Sequence, residues 1–147
     1  MNGILRLTIA LALLVPTASA QADPLTAGRL APDDLKWEQG PTGNPRAILV
    51  GDDRKPGMYM YRGKFPPNAK VMPHFHPDER IVTVMSGTLY MGYGDTFDES
   101  AMKMLPAGSI WTEPAGKTHY VWAKDGEVVI QVVGGNGPTG TTRVGAK

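Results

Sequence analysis

The stretch Pro73-His74-Phe75-His76-Pro77-Asp78-Glu79-Arg80 decides how this chain is read. The chain has three histidines, and two of them stand here, one residue apart. The third, His119, lies 43 positions beyond His76, in Pro114-Ala115-Gly116-Lys117-Thr118-His119. On a strand, the two-residue period sends His74 and His76 to one face, about 7 Å apart along the chain. Two rings at that spacing can tilt towards one ion, and His119 from another strand closes the set. Neutral imidazole ligates metals at ordinary pH with no shift of its pKa. The expectation is an all-β barrel with a metal site made of His74, His76 and His119.

Outside that stretch, the first 20 residues are set apart by composition. Met1 to Arg6 carries positive charge, Leu7 to Val15 is largely apolar, and Ala18-Ser19-Ala20 has the small residues of a cleavage site. A nine-residue apolar run falls well short of the ~20 residues that span a bilayer. Residues 1–20 are therefore read as a signal peptide, which places the mature protein in the periplasm or outside the cell. The remaining 127 residues suit one domain, with 14 basic side chains against 14 acidic ones. That balance gives no electrostatic case for nucleic acid or an anionic membrane as partner. The chain has no cysteine, so disulfides, thiolate ligands and a cysteine nucleophile are all excluded. Any metal must be held mainly by nitrogen and oxygen.

Residues 21–45 carry Pro24, Pro32, Pro41 and Pro45 without sustained periodicity and read as an extended arm, with Leu35 and Trp37 packing against the barrel. The barrel domain spans 46–147, with strands expected at Arg46–Val50, Met58–Lys64, Val71–His76, Ile81–Met85 and Thr88–Tyr93. Further strands are expected at Ser109–Thr112, Tyr120–Ala123 and Val128–Val133, with an edge strand around Thr141–Val144. Ser86-Gly87 is read as the turn of a hairpin, and the spacing of Thr96 to Glu99 as a capping box opening one short helix, Phe97 to Met104. Short strands with frequent turns indicate a sandwich or barrel. Met58, Met60, Met72, Met102 and Met104 are expected to fill the interior rather than to bind copper(I). Trp111, Trp122, Tyr59 and Tyr61 are candidates for pocket walls or core.

The histidine stretches resemble the two motifs of the cupin superfamily. His74-Phe75-His76 with Gly87 is similar to the first, and Gly108 followed by Pro114-Ala115-Gly116-Lys117-Thr118-His119 fits the second at each fixed position up to the histidine. The resemblance implies a jelly-roll β-barrel and a divalent metal, with Fe, Zn, Mn, Ni and Cu not distinguished. It implies His74, His76 and His119 as ligands, a small-molecule substrate and a homodimer. In the family a glutamate of the first motif completes the ligand set; here Arg80 occupies that position and Glu79 stands one place early, while Ala123 replaces the second motif's final asparagine.

Arg80 leaves several arrangements open. Glu79 turns inward through a bulge; Glu113 approaches and pairs with Arg80 or touches the metal; or Arg80 grips a substrate carboxylate. Alternatively Arg80 lies at the barrel mouth in a surface ion pair with Glu79 or Asp78. The functional expectation is an exported metal-dependent cupin enzyme, with dioxygenase-, isomerase- or decarboxylase-like chemistry on a small organic acid. In it Arg80 is the substrate anchor and Glu113 the acid–base group. The rival is a non-catalytic module that binds a metal or a small ligand.

Overall fold

A computed structural model describes residues 25–145. The expected signal peptide, residues 1–20, lies outside them. The described chain forms two antiparallel sheets. The first runs in the order β1 (Glu38–Gln39), β2 (Pro45–Val50), β3 (Gly57–Phe65), β10 (Val128–Gly137), β5 (Arg80–Ser86), β8 (Ile110–Glu113). The second runs β11 (Thr142–Arg143), β4 (Lys70–Phe75), β9 (His119–Trp122), β6 (Thr88–Tyr93), β7 (Lys103–Pro106). Strands that neighbour one another in a sheet are mostly distant in sequence, as in a jelly roll.

Alternation decides which face is inside. On β5, Arg80, Val82 and Val84 are buried while Ile81 and Met85 are exposed. Inward residues from both sheets, among them Tyr59, Val82, Val132, Leu89, Met91 and Val121, form one apolar cluster between the layers. This is the period-two pattern of sheets with one dry and one wet face.

Four expectations are corrected. Ser86-Gly87 does not turn a hairpin: β5 pairs with β10 and β8, whereas β6 pairs with β7 and β9, so the chain crosses between sheets there. Gly87 permits the crossing because its φ is +77° and a Cβ would overlap the Glu127 carbonyl. The helix expected at Phe97–Met104 is a single 3-10 turn, Glu99–Ala101, capped by the Asp98 carboxylate on the Ser100 N–H. It stops there because Lys103–Pro106 pairs with Thr88–Met91, and the ladder outweighs the local capping signal. Met58, Met72 and Met104 do not fill the core; each is about half exposed, on outward strand positions. Finally, Trp122 is a half-exposed outer residue stacked under Lys70, not a pocket wall.

The arm contributes more than coverage. Its residues Glu38 and Gln39 pair with Arg46 and Pro45, adding the edge strand of the first sheet. Leu35 is half-buried, and the Trp37 ring is partly exposed, with the Lys64 ammonium over it.

Candidate metal centre

A bulge in β4 aims the two clustered histidines. Val71 pairs with Val121 on β9, and His74 with His119, so three steps on β4 answer two on β9. Simple alternation from Val71 would turn Pro73 and Phe75 inward and both histidines outward. The extra residue reverses that, because a one-place slip exchanges the faces of a strand. Pro73, which has no N–H to give the ladder, sits at the irregularity.

The result is convergence. His74 and His119, register partners, have ring centroids 4.3 Å apart; His76 lies 4.9 Å from His74 and 5.2 Å from His119. All three are nearly fully buried. One ring nitrogen from each lies within 4.8 Å of the others, a grouping that fits one ion.

Each ring is turned by a backbone carbonyl. His74 Nδ1 lies 2.8 Å from the Met72 carbonyl, His119 Nδ1 3.1 Å from that of Lys117, and His76 Nδ1 2.5 Å from that of Gly140. A carbonyl only accepts, so each Nδ1 carries a proton and Nε2 is the ring nitrogen left for other partners. Carbonyl-anchored Nδ1–H is the usual second contact of a metal-ligating histidine. Burial, reinforced by the charge of His119, pushes the His74 ring down to about 4, so it stays neutral and ready to ligate.

Glu113 joins the group from β8. Its Oε1 lies 3.1 Å from His119 Nε2 and accepts from Trp111 Nε1 at 3.0 Å, and its Oε2 lies 3.8 Å from His76 Nε2 and 2.9 Å from Arg80 Nε. Burial alone raises the Glu113 carboxyl, but His119, Arg80 and Trp111 outweigh it and hold it at about 2, ionised at neutral pH. The Arg80–Glu113 contact is an ion pair rather than an aligned hydrogen bond: neither Arg80 Nε nor Glu113 Oε2 has a properly directed partner. A buried anion with an unsatisfied oxygen, facing imidazole nitrogens, calls for a positive charge between them, either a proton on His119 Nε2 or a metal ion. The donor set fits a divalent cation.

These contacts choose among the arrangements left open for Arg80. Glu79 is exposed and points away, so it is not an inward ligand. Arg80 is buried, which rules out a surface ion pair at the mouth. Glu113 approaches, pairs with Arg80 and stands against two of the histidines. The remaining Arg80 contact is Nη1 donating to the Tyr61 hydroxyl at 3.0 Å. The guanidinium is thus braced by protein groups on Nε and Nη1, and the side chain also lines the cavity beside the histidines.

The centre lies in the wall of a cavity of about 390 Å³, with Tyr61, Phe65, Trp111, Ile130 and Val132 as apolar walls and Arg46 towards the polar end. Arg46 is itself paired, with Glu38 and Asp53. No methionine lines this cavity among the described residues. Sequence reasoning missed Gly140, whose contribution is a carbonyl, and Asp78, which is buried and accepts from the Tyr59 and Thr139 hydroxyls.

The family model described as Cupin matches residues 52–147, and the chain belongs to that family. A probable germin-like protein, subfamily 2 member 5, of Arabidopsis thaliana is 35% identical over 65 residues, 44% of this chain and 30% of that protein. Among solved structures, the polyketide cyclase RemF from Streptomyces resistomycificus aligns with a TM-score of 0.66 at 20% identity, over 83% of this chain and 88% of that one. Recombinant oxalate oxidase in complex with glycolate aligns with a TM-score of 0.56 at 25% identity, over 71% of this chain and 57% of that one. The chain spans less than a third of the germin-like relative, and the likeness to RemF is one of fold. Where the cupin resemblance puts a glutamate and this chain has Arg80, the carboxylate at the site comes from Arg80's partner across the ladder, Glu113.

Proposed function

We propose that the protein is an exported cupin that holds one divalent metal ion through His74, His76 and His119 and acts as an enzyme on a small organic acid. One observation carries this reading: three buried imidazoles, each with Nδ1 tied to a carbonyl, bring one ring nitrogen apiece within 4.8 Å of one another in the wall of a cavity. Iron, zinc, manganese, nickel and copper are all compatible with an imidazole set. When bound, such an ion supplies Lewis-acid or redox chemistry to whatever occupies the cavity. The chain's own contribution is then positioning and proton transfer. Trp111 and Arg80 keep the Glu113 carboxylate ionised and aimed into the site, where it is the group placed to exchange a proton with a substrate. At about 390 Å³ the cavity suits a small molecule, held between apolar walls and a polar end. The glycolate complex of the oxalate oxidase supports an organic acid as the ligand class. Export is supported by the leader-like composition of residues 1–20.

A second reading, a non-catalytic metal or ligand carrier, is favoured by Glu113 itself. Standing 3.1 Å from His119, it is placed to complete a closed four-ligand site. Metal analysis of protein purified without chelators or a histidine tag separates the two. One equivalent of metal with exchangeable water, and turnover or oxygen uptake with small hydroxy- or dicarboxylates, supports the enzyme. A metal with four protein ligands and no exchangeable water supports the carrier. Protein that takes up no divalent metal contradicts the enzyme and leaves a metal-free carrier of a small ligand.

A further inference from the structure

Two of the three ring anchors are local and one is not. His74 and His119 are turned by carbonyls two residues away on their own strands, whereas the carbonyl that holds His76 belongs to Gly140, 64 residues on. His76 also lies just beyond the end of β4, where the sheet no longer fixes its backbone. Its main chain is tied to the second-motif turn, through Gly116 N–H donating to the His76 carbonyl at 2.8 Å.

The segment that carries Gly140 crosses the site as a strap. It leaves β10 at Gly137, and Thr139, Gly140 and Thr141 form part of the cavity wall. Four contacts hold it down. Thr139 N–H donates to the Asp53 carbonyl at 2.7 Å, and the Thr139 hydroxyl donates to the buried Asp78 carboxylate. Thr142 and Arg143 then pair with Phe75 and His74 as β11, and Val144 N–H reaches the Pro73 carbonyl at 3.0 Å. Asp78 is in turn held by the Tyr59 hydroxyl, so the strap docks on a group that is rigid without it. None of the residues of the apolar core cluster lies beyond Val132, so these contacts serve the site and not the core.

We propose that the C-terminal strap, Thr139 to Val144, is a working part of the metal centre: it sets the ring of His76 through the Gly140 carbonyl, and strap closure and metal occupancy stabilise each other. Gly140 acts here as a positioning residue. The inference rests on the three-histidine reading above. With the strap open, the His76 ring loses the acceptor that fixes its tautomer and direction, while His74 and His119 keep theirs. Linkage then runs both ways: whatever the strap adds to metal affinity, bound metal returns to strap closure by the same factor.

The test uses Zn²⁺ alone, titrated in competition with a chromophoric chelator. The chain ended after Pro138 should bind Zn²⁺ about 10- to 100-fold more weakly than the full chain, the range seen when outer contacts of a ligating histidine are removed. Thr139→Val, which keeps the strap and loses one hydrogen bond, should weaken binding about 5-fold, so the inference is tested even if the shortened chain folds poorly. The effect must pass through His76. Combined with His76→Ala, Thr139→Val or the truncation should change affinity by less than about 2-fold, while with His74→Ala the full loss should persist. In the full chain, saturating Zn²⁺ should slow tryptic cleavage after Arg143 by up to the same factor as the affinity change. Equal losses in both histidine backgrounds, or cleavage at Arg143 unaffected by bound Zn²⁺, overturn the strap proposal while leaving the metal site standing. A full chain that binds no Zn²⁺ overturns the site and the strap together.

Discussion

Arg80 on β5 and Glu113 on β8 are register partners across the antiparallel ladder, and their charged groups meet at 2.9 Å in the interior. The pair explains how a cation can occupy a motif position suited to a metal-ligating carboxylate. The negative charge has moved one strand sideways, to a side chain that reaches the same histidines from the flank.

Breaking this pair should be costly, because each single change leaves an uncompensated buried charge. Glu113→Gln and Arg80→Met are each expected to lower the stability of the metal-free protein by about 3–5 kcal/mol in urea unfolding. The double exchange Arg80→Glu with Glu113→Arg should recover most of that loss, since the register brings the same two positions together. An exchange no more stable than the single Glu113→Arg variant would show that the pair is not the relevant partner.

His74 makes a signed prediction about pH. Its ring titrates at about 4 in the folded chain against an ordinary value of 6.5, chiefly from burial and secondarily from the charge of His119. Between those values the unfolded chain takes up a proton that the folded chain refuses. The contribution is therefore complete above pH 6.5, falls as the pH drops towards 4, and is gone below it. Metal-free protein followed by denaturant unfolding should lose stability across that window, and His74→Gln should flatten the decline. A ring titration by NMR with a midpoint near 6.5 would contradict the burial assigned to His74.

Much of the centre is legible before any coordinates. The His-x-His spacing and the turn before His119 name the three ligands, and the β-branched run Ile81–Met85 marks its strand. What escapes local reading depends on pairing at a distance. The bulge that turns His74 inward is visible only as a mismatch against β9, and the choice of Glu113 over Glu79 follows from the β5–β8 register. Likewise Ser86-Gly87 has the composition of a hairpin turn, yet each flanking strand finds better partners in a different sheet. Gly140 has no side chain to signal its part, because the interaction is carried by its carbonyl.

Gly134 pairs with Arg80 on one side and Tyr59 on the other, and an added Cβ would overlap the Tyr59 ring. That ring has no room to yield: it is fully buried, stacked on Tyr61 with centroids 6.2 Å apart, and its hydroxyl is bonded to Asp78. Gly134→Ala should cost about 1–3 kcal/mol by urea unfolding. A neutral or stabilising result would mean that the packing beneath the centre is looser than described.

Metal binding to a folded site must also appear as stability. At a free Zn²⁺ concentration of 100 times Kd, the protein should gain roughly 2.7 kcal/mol, seen as a rise of several degrees in Tm that a chelator reverses. The His119→Ala variant should show no such rise, although its metal-free Tm may be compared directly with that of the parent chain.

X-ray absorption at the zinc edge of the loaded protein tests the central claim most directly. Three imidazole ligands should give outer-ring scattering with first-shell nitrogen at about 2.0–2.1 Å, and His119→Ala should reduce the imidazole count by one. A first shell without imidazole scattering, or a spectrum unchanged by that substitution, would contradict convergence of His74, His76 and His119 on one ion.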